Sequence, residues 1–340
     1  MAIVWFDPIN YATADLGKTY STVMAATTVD SGAGYKGSNA ISASTLSSNG
    51  VVVGALPTST TYCVAFYFKR FSSTSNAPLV NFYNGANIEV TITYERATGT
   101  LFASRGGTVV ATGAVPLSYG MHDLVEIEVT VSDTVGVVKV NINGTPSINF
   151  SGDTKFTGST IPANITAIEF VNYSAVSVKT YISHPIIYNK TGAAPTAFIG
   201  QHRIPILNAN SNGTYSGLTN ESSNSTNLYQ SIDDSAPDGS TFIQGATANT
   251  KATFGFSDVS GTPSNIYALG MFPCLQTDDA GVKTFANMQV SGGTDYVQTT
   301  QTVPPSSKYM PTILYTNHAT GFAYTVDNIN ALEAGMKVIS

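Results

Sequence analysis

Two neighbouring stretches of this sequence decide its fold, LVEIEVTV at residues 124–131 and VVKVNING at residues 137–144. Apolar residues take every second position, at Val125, Ile127, Val129 and Val131 and then at Val138, Val140 and Ile142. A period of two places alternate residues on opposite faces of a β-strand, so each stretch predicts a strand with one buried face. The pair Asn143-Gly144 is typical of a type I′ turn, because both central residues of that turn have positive φ.

Strand patterns of the same kind continue along the chain. They lie at residues 63–68, 88–94, 166–173 and 176–188, and later at 266–272 and 310–315. They recur every 10 to 20 residues or so, with Gly, Ser and Asn between them, which indicates a β-sandwich or jelly roll rather than alternating strands and helices. The sequence therefore predicts an all-β fold, with a jelly-roll sandwich followed by a second β-sandwich domain.

A small, polar, proline-bearing connection around residues 189–200 divides the pattern in two. We predict a first domain, a linker and a second domain, at residues 1–190, 191–200 and 201–340.

Two features of the second domain stand out. Residues 208–227 are rich in Ser, Asn and Gly and predict an ordered surface loop or extended arm. One short helix is predicted near the C-terminus, over residues 328–334, with Asp327 as its N-cap and Gly335 just after its end.

The charge balance excludes several classes of partner. Charged residues make up 11% of the chain, against roughly 25% in typical soluble domains. The net charge of −6 and the lack of a Lys/Arg run argue against nucleic acid. The N-terminal residues do not resemble a signal peptide, and no apolar run is long enough for a membrane helix. We expect Cys63 and Cys274 to be free thiols.

The sharpest catalytic pattern is the acidic pair Glu126 and Glu128, which share one face of the predicted strand. Paired carboxylates are the residues that glycosidases use. An exposed polar face explains the pair without chemistry, and this is the interpretation we favour. The four histidines are scattered along the sequence, and no metal-ligand spacing or nucleophile motif is present. We therefore predict no catalytic residue, metal or cofactor.

Tyrosines are the candidate ligand contacts, because the chain has 18 of them and a tyrosine ring can stack on a sugar. The candidates that lie next to predicted loops are Tyr83, Tyr94, Tyr119 and Tyr215.

An ordered set of motifs carries a resemblance to a known group of proteins. The motifs are Phe6-Asp7-Pro8, the glycine-bearing segment 31–39, residues 121–126, residues 136–144, Gly152-Asp153-Thr154, residues 200–204, residues 277–281 and residues 320–338. In this order they resemble virion structural proteins of tailed bacteriophages that have an N-terminal laminin-G-like, concanavalin-A-like jelly roll and a C-terminal β-domain.

The resemblance implies a non-enzymatic structural component of a virion, such as a capsid-decorating spike or fibre or a tail-tip protein. It implies assembly in the host cytoplasm, contacts with other virion proteins and a trimer or dimer of the chain. The alternative hypothesis is a glycan-binding adhesin that recognises the bacterial surface. A more remote alternative is a glycoside hydrolase that uses Glu126 and Glu128.

Overall fold

The computed structural model describes residues 2–43, 48–71, 76–158, 160–175, 178–189, 197–234, 237, 239–278 and 281–340. Strands make up 48% of the structure and helices 6%, so the prediction of an all-β fold with sandwich-like domains is confirmed. The chain divides into two compact units, Met1–Ile204 and Pro205–Ser340. Residues 190–196, which hold most of the connection predicted between the domains, lie outside the described residues.

The first unit is built from strands. They are β1 (Ala2–Phe6), β2 (Thr22–Val23), β3 (Thr27–Asp30), β4 (Ala40–Ala43), β5 (Ser48–Val53), β6 (Thr61–Lys69), β7 (Asn76–Asn84), β8 (Asn87–Glu95), β9 (Leu101–Arg105), β10 (Thr108–Thr112), β11 (His122–Thr130), β12 (Gly136–Ile142), β13 (Thr145–Gly152), β14 (Ala167–Ala175), β15 (Val178–Lys179) and β16 (Tyr181–Asn189). Its helical pieces are α1 (Leu16–Thr19) and the 3₁₀ turns Thr13–Asp15 and Tyr35–Gly37.

These strands form two antiparallel sheets that face each other. Sheet 1 has the order β13-β12-β11-β6-β16-β4-β3, with β1 also paired to β16. Sheet 2 has the order β10-β9-β8-β7-β14-β5-β2, with β15 also paired to β14. Aromatic rings join the two sheets: Phe66 meets Phe170 edge-on at 5.5 Å between ring centroids, and Phe68 meets Tyr94 at 5.3 Å. The core of the sandwich therefore lies between the alternating apolar rows that the sequence predicts.

The hairpin predicted at Asn143-Gly144 joins β12 to β13. Asn143 has φ 51° and Gly144 has φ 80°, as a type I′ turn requires. The Asn143 side chain also accepts a hydrogen bond from the backbone N–H of Leu124, at 2.9 Å, and donates one to Asp123, at 2.7 Å. These two bonds fix the turn to the start of β11.

The second unit contains β17 (Ala209–Ser216), β18 (Thr219–Asn220), β19 (Ile243–Gln244), β20 (Lys251–Phe256), β21 (Leu269–Met271), β22 (Cys274–Leu275), β23 (Thr284–Ser291), β24 (Thr294–Val297), β25 (Gln301–Thr302), β26 (Lys308–Tyr309), β27 (Thr312–Leu314) and β28 (Glu333–Val338). Its helical pieces are α2 (Val326–Asn330) and the 3₁₀ turn Leu228–Ser231. The main sheet has the order β17-β20-β28-β23-β24, with β25 paired to β23. Shorter ribbons pair β18 with β19, β21 with β27 and β22 with β26.

Two predictions for this unit are wrong in detail. The Ser- and Asn-rich residues 208–227 are not only a loop, because β17 pairs with β20 as an edge strand of the main sheet. Helix α2 begins earlier than predicted: Thr325 is its N-cap and forms a reciprocal capping box with Asn328. Gly335 lies within β28, where an added Cβ would stand 2.0 Å from the carbonyl oxygen of Ala252. Glycine is therefore required there by the close approach of β20.

Both cysteines are free thiols, as predicted, although only Cys63 is fully buried. Among the described residues, the helices are too short to cross a membrane.

Candidate functional site

The candidate site lies on the outer face of sheet 1, the face turned away from the core. Strand pairing places Tyr181 of β16, Lys69 of β6 and His122 of β11 side by side in one cross-strand row. The next row contains Ser183, Tyr67 and Leu124. Because neighbouring strands lie about 4.8 Å apart, each row extends over roughly 10 Å of the surface.

Tyr35 lies over the second row. Its ring is parallel to that of Tyr67, with 3.8 Å between centroids and 6° between planes. Its backbone N–H donates to the hydroxyl of Ser183 at 3.0 Å. The turn that brings Tyr35 onto the sheet requires glycine at position 34, because a Cβ at Gly34 would stand 2.5 Å from the carbonyl oxygen of Asn39. The glycine-bearing segment of the sequence is thus a turn that seats an aromatic ring on the sheet.

His184 reaches the same region through a β-bulge. The pairing of β16 with β6 shifts register between Ser183 and Ile186, and His184 has φ 49° directly before Pro185. Bulges re-aim side chains, and non-glycine residues with positive φ cluster at functional sites because the surroundings must hold them in place. The bulge thus turns an imidazole toward Tyr67, with 6.2 Å between ring centroids.

The environment of His184 favours its neutral form. Burial is the main cause that lowers the pKa of His184 to about 4, and the nearby His202 and Arg203 contribute in the same direction. Its Nδ1 accepts a hydrogen bond from the backbone N–H of Ile204 at 3.4 Å. The backbone of Tyr35 acts against this lowering of the pKa, and the Nε2 atom of His184 has no hydrogen-bond partner among the residues that the structure describes.

Residues 197–204, which we call the strap, lie across this face. His202 donates its backbone N–H to the Tyr67 hydroxyl at 3.2 Å, and its two ring nitrogens face the carbonyl oxygens of His184 and Gly200 at 2.9 and 3.1 Å. Burial lowers the pKa of His202. The backbone N–H of Gly200 donates to Glu126 at 2.8 Å. The strap therefore contacts β6, β11 and β16 through polar bonds.

His122 is half-buried and lies beside Tyr35, with 6.3 Å between ring centroids. Its Nε2 lies 3.0 Å from the carbonyl oxygen of Ala33. A carbonyl only accepts, so Nε2 carries the proton and Nδ1 is the acceptor of the neutral ring. Burial and the charge of Lys69 lower the pKa of His122. We call Tyr35, Tyr67, His122, His184 and His202 the Tyr–His cluster.

Further rings extend the site beyond the ends of the strands. Phe71 meets Tyr119 and Tyr181 edge-on, each at 6.2 Å between ring centroids. Tyr119 is 62% exposed, and Phe71, Tyr181 and Tyr35 are half-exposed. We call this group, Tyr35, Phe71, Tyr119 and Tyr181 with Lys69 and His122 between them, the ring surface.

The four predicted sugar contacts do not come together. Tyr119 belongs to the ring surface, whereas Tyr83 is on sheet 2 and donates its hydroxyl to Glu169 at 2.7 Å. The prediction that Tyr94 contacts a sugar is wrong. This side chain is 1% exposed and lies in the core, because its position in β8 faces sheet 1. Tyr215 is in the second unit, where its hydroxyl donates to Asp295 at 2.9 Å.

The acidic pair does not form the exposed polar face that the sequence suggested. Glu126 is 1% exposed and Glu128 is 8% exposed. Burial raises the pKa of Glu126, while the backbone N–H groups of Gly200 and Ile199 act against that rise. Because the strap covers this carboxylate and occupies its oxygens, the structure does not support a glycosidase site at this pair.

Other places in the first unit are less suited to chemistry. A concavity of about 420 Å³ at the end of sheet 2 is lined by Ala86, Asn87, Ile88, Thr91, Gly106, Gly107 and Phe156, with no charged group. Within the described residues, no group of three or more His, Cys, Asp and Glu side chains is placed to hold a metal ion.

The sequence interpretation missed the Tyr–His cluster because its members lie far apart along the chain. His184 and His202 contact each other only in the folded unit, where the stacked rings of Tyr35 and Tyr67 link them to His122. One local signal was present: Pro185 interrupts a strand pattern, and a proline inside a strand indicates an edge or a bulge.

No family model matches this chain, and no curated protein matches it. Solved structures do match. The cellulose-induced protein Cip1 is 14% identical over 52% of this chain and 88% of its own, with a TM-score of 0.38. The alginate lyase Aly36B is 10% identical over 52% and 90%, with a TM-score of 0.37. The catalytic domain of a glycoside hydrolase family 131 protein from Coprinopsis cinerea is 12% identical over 59% and 98%, with a TM-score of 0.38.

These TM-scores lie below 0.5, so the likeness adds nothing to the assignment of the fold. The all-β, sandwich-like fold rests on the strand content and on the two facing antiparallel sheets of the first unit themselves. The prediction of a non-enzymatic phage structural protein is contradicted: the matched structures are carbohydrate-active enzymes and carbohydrate-binding proteins, and none is a virion protein. The homo-oligomer and the virion location stay predictions from the resemblance.

Proposed function

We propose that this protein binds a glycan on the ring surface of its first unit. The observation that carries the proposal is the arrangement of four accessible rings around Lys69 and His122 on one face of sheet 1. Ligand sites in proteins combine aromatic side chains with a few convergent polar groups.

A sugar ring presents a face of C–H groups and a rim of hydroxyls, and the ring surface has a partner for each. The half-exposed ring of Tyr35 is held rigid by its stacking on Tyr67, so a ligand that contacts it orders this side chain at little entropic cost. The Nδ1 atom of neutral His122 accepts a hydrogen bond from a hydroxyl, and the ammonium of Lys69 donates one.

The extent of the surface favours a chain of sugars over a single one. The row of Tyr181, Lys69 and His122 covers about 10 Å, and Phe71 and Tyr119 continue the line of rings beyond it.

The test is a glycan array probed with the full chain, followed by calorimetry on the glycans that bind. We expect Tyr35→Ala and Tyr119→Ala each to weaken binding about tenfold, which corresponds to ~1.4 kcal/mol. Tyr83→Ala is the matched control, because it removes a half-exposed tyrosine from the other sheet of the same unit.

Two further readouts complete the test. Unfolding followed by the fluorescence of Trp5, the single tryptophan, shows whether each variant keeps the first unit folded. Release of new reducing ends shows whether a bound glycan is also cleaved. The proposal fails if no glycan binds, or if Tyr83→Ala abolishes binding that Tyr35→Ala and Tyr119→Ala leave intact.

A further inference from the structure

The ring surface lies among positive charges in a chain that is negative overall. The sequence has 15 Lys and Arg residues against 21 Asp and Glu residues. Three of these cations surround the Tyr–His cluster. The Nζ of Lys36 lies 5.4 Å from the ring centroid of Tyr35, and the Nζ of Lys69 lies 5.5 Å from that of Phe71. Arg203 is exposed on the strap.

These three cations have no carboxylate partner within 4.0 Å among the described residues. The ion pairs of the first unit lie elsewhere, at Lys18–Asp15, Arg105–Asp153, Lys155–Asp133 and Lys179–Asp30. An ammonium or guanidinium group without a partner keeps its full charge for a ligand.

Three acidic side chains near this side of the sheet are already hydrogen-bonded to, or ion-paired with, other groups of the protein. The Asp123 carboxylate is 2% exposed and accepts hydrogen bonds from Ser118 and Asn143. The Glu126 carboxylate accepts from the strap, and Asp30 is paired with Lys179. None of these three carboxylates is in contact with Lys36, Lys69 or Arg203, so the rim of the ring surface stays positive.

We propose that the glycan bound by the ring surface is an anionic polysaccharide, whose carboxylate or sulfate groups contact Lys36, Lys69 and Arg203 while its sugar rings lie on the aromatic side chains. This inference rests on the proposed function and specifies its ligand. The lowered pKa values of His122 and His184 agree with it, because Lys69 and Arg203 contribute to those shifts.

The experiment measures binding of the full chain to two matched pairs of polysaccharides. Dextran sulfate and dextran differ in sulfate, and polygalacturonate and its methyl-esterified form differ in free carboxylate. We expect binding to at least one anionic member, weaker binding to its neutral partner, and a loss of affinity when salt is raised from 50 to 300 mM, since exposed charges are screened over shorter distances.

Charge-removing variants locate the contact. Lys36→Met and Lys69→Met keep the aliphatic stem, and each should weaken anionic binding about fivefold, a change of ~1 kcal/mol. Lys308→Met is the matched control, because it removes the same charge from an exposed position in the second unit.

The outcomes separate the two proposals. If neutral polysaccharides bind as tightly as anionic ones and the lysine variants are unchanged, the anionic ligand is refuted while glycan binding stands. If Lys308→Met weakens binding as much as Lys69→Met, or if duplex DNA binds equally well, the attraction is non-specific and the inference is refuted. If no polysaccharide binds, the proposed function itself fails.

Discussion

Acidification should destabilise the first unit through His184. This side chain is 4% exposed, and its pKa is lowered from 6.5 to about 4 by burial and by the nearby His202 and Arg203. The ring of Tyr67 packs edge-on against it, with 6.2 Å between ring centroids. The folded state therefore keeps His184 neutral, whereas the unfolded chain takes up a proton near pH 6.5. The contribution of neutral His184 to the stability of the folded state is fully present above pH 6.5 and is lost as pH falls toward 4.

The magnitude follows from the shift of about 2.5 pKa units. Linkage at ~1.36 kcal/mol per unit gives a loss in the free energy of unfolding of about 2 kcal/mol between pH 8 and pH 5, and about 3 kcal/mol at pH 4. Burial also lowers the pKa of His202, which adds a loss of the same sign. The pKa of Glu126 is raised, so that residue changes stability in the opposite sense, and a variant is needed to isolate His184.

The assay is urea unfolding at a series of pH values, followed by Trp5 fluorescence. Trp5 is 8% exposed in the core of the first unit, against Tyr20 and Phe170, so its emission reports that unit. His184→Asn removes the titration and suits the backbone, because asparagine tolerates positive φ. His318→Asn, at an exposed position of the second unit, is the control. Equal losses between pH 8 and pH 5 in the wild type and in His184→Asn would show that His184 does not cause the pH dependence.

Substitutions at Glu126 and Gly136 test the packing of the first unit. Glu126→Ala leaves N–H groups of the strap without their acceptor, so we expect the free energy of unfolding to fall by about 1–3 kcal/mol. We also expect faster tryptic cleavage after Arg203, measured by mass spectrometry, and an unchanged cleavage rate would contradict the role given to the strap. Gly136→Ala places a Cβ 1.9 Å from the hydroxyl of Thr154 and should cost about 1–3 kcal/mol in urea unfolding, whereas Gly17→Ala, with open space around it, should cost nothing. Equal midpoints for the two glycine variants would count against this steric account.

The second unit shows where local pattern stops being informative. Its edge strand β17 has the sequence ANSNGTYS, which has few of the β-branched and aromatic residues that mark strands. Backbone pairing with β20, rather than side-chain preference, holds this segment extended. Gly335 shows the same limit, since its role depends on the carbonyl of Ala252, more than 80 positions away in the chain.

The strands of the sandwich can be predicted from the sequence, because the two-residue period of β11 and β12 and the Asn143-Gly144 turn are local properties of the backbone. The scarcity of charge is also a property of the sequence. The site depends on the tertiary fold. A bulge at His184, a turn at Tyr35 and the strap at His202 bring together residues separated by up to 167 positions, and burial under the strap converts Glu126 from an apparent catalytic acid into an anchor for backbone N–H groups. Alternation along a strand fixes which face a residue takes, but it carries no information on what covers that face.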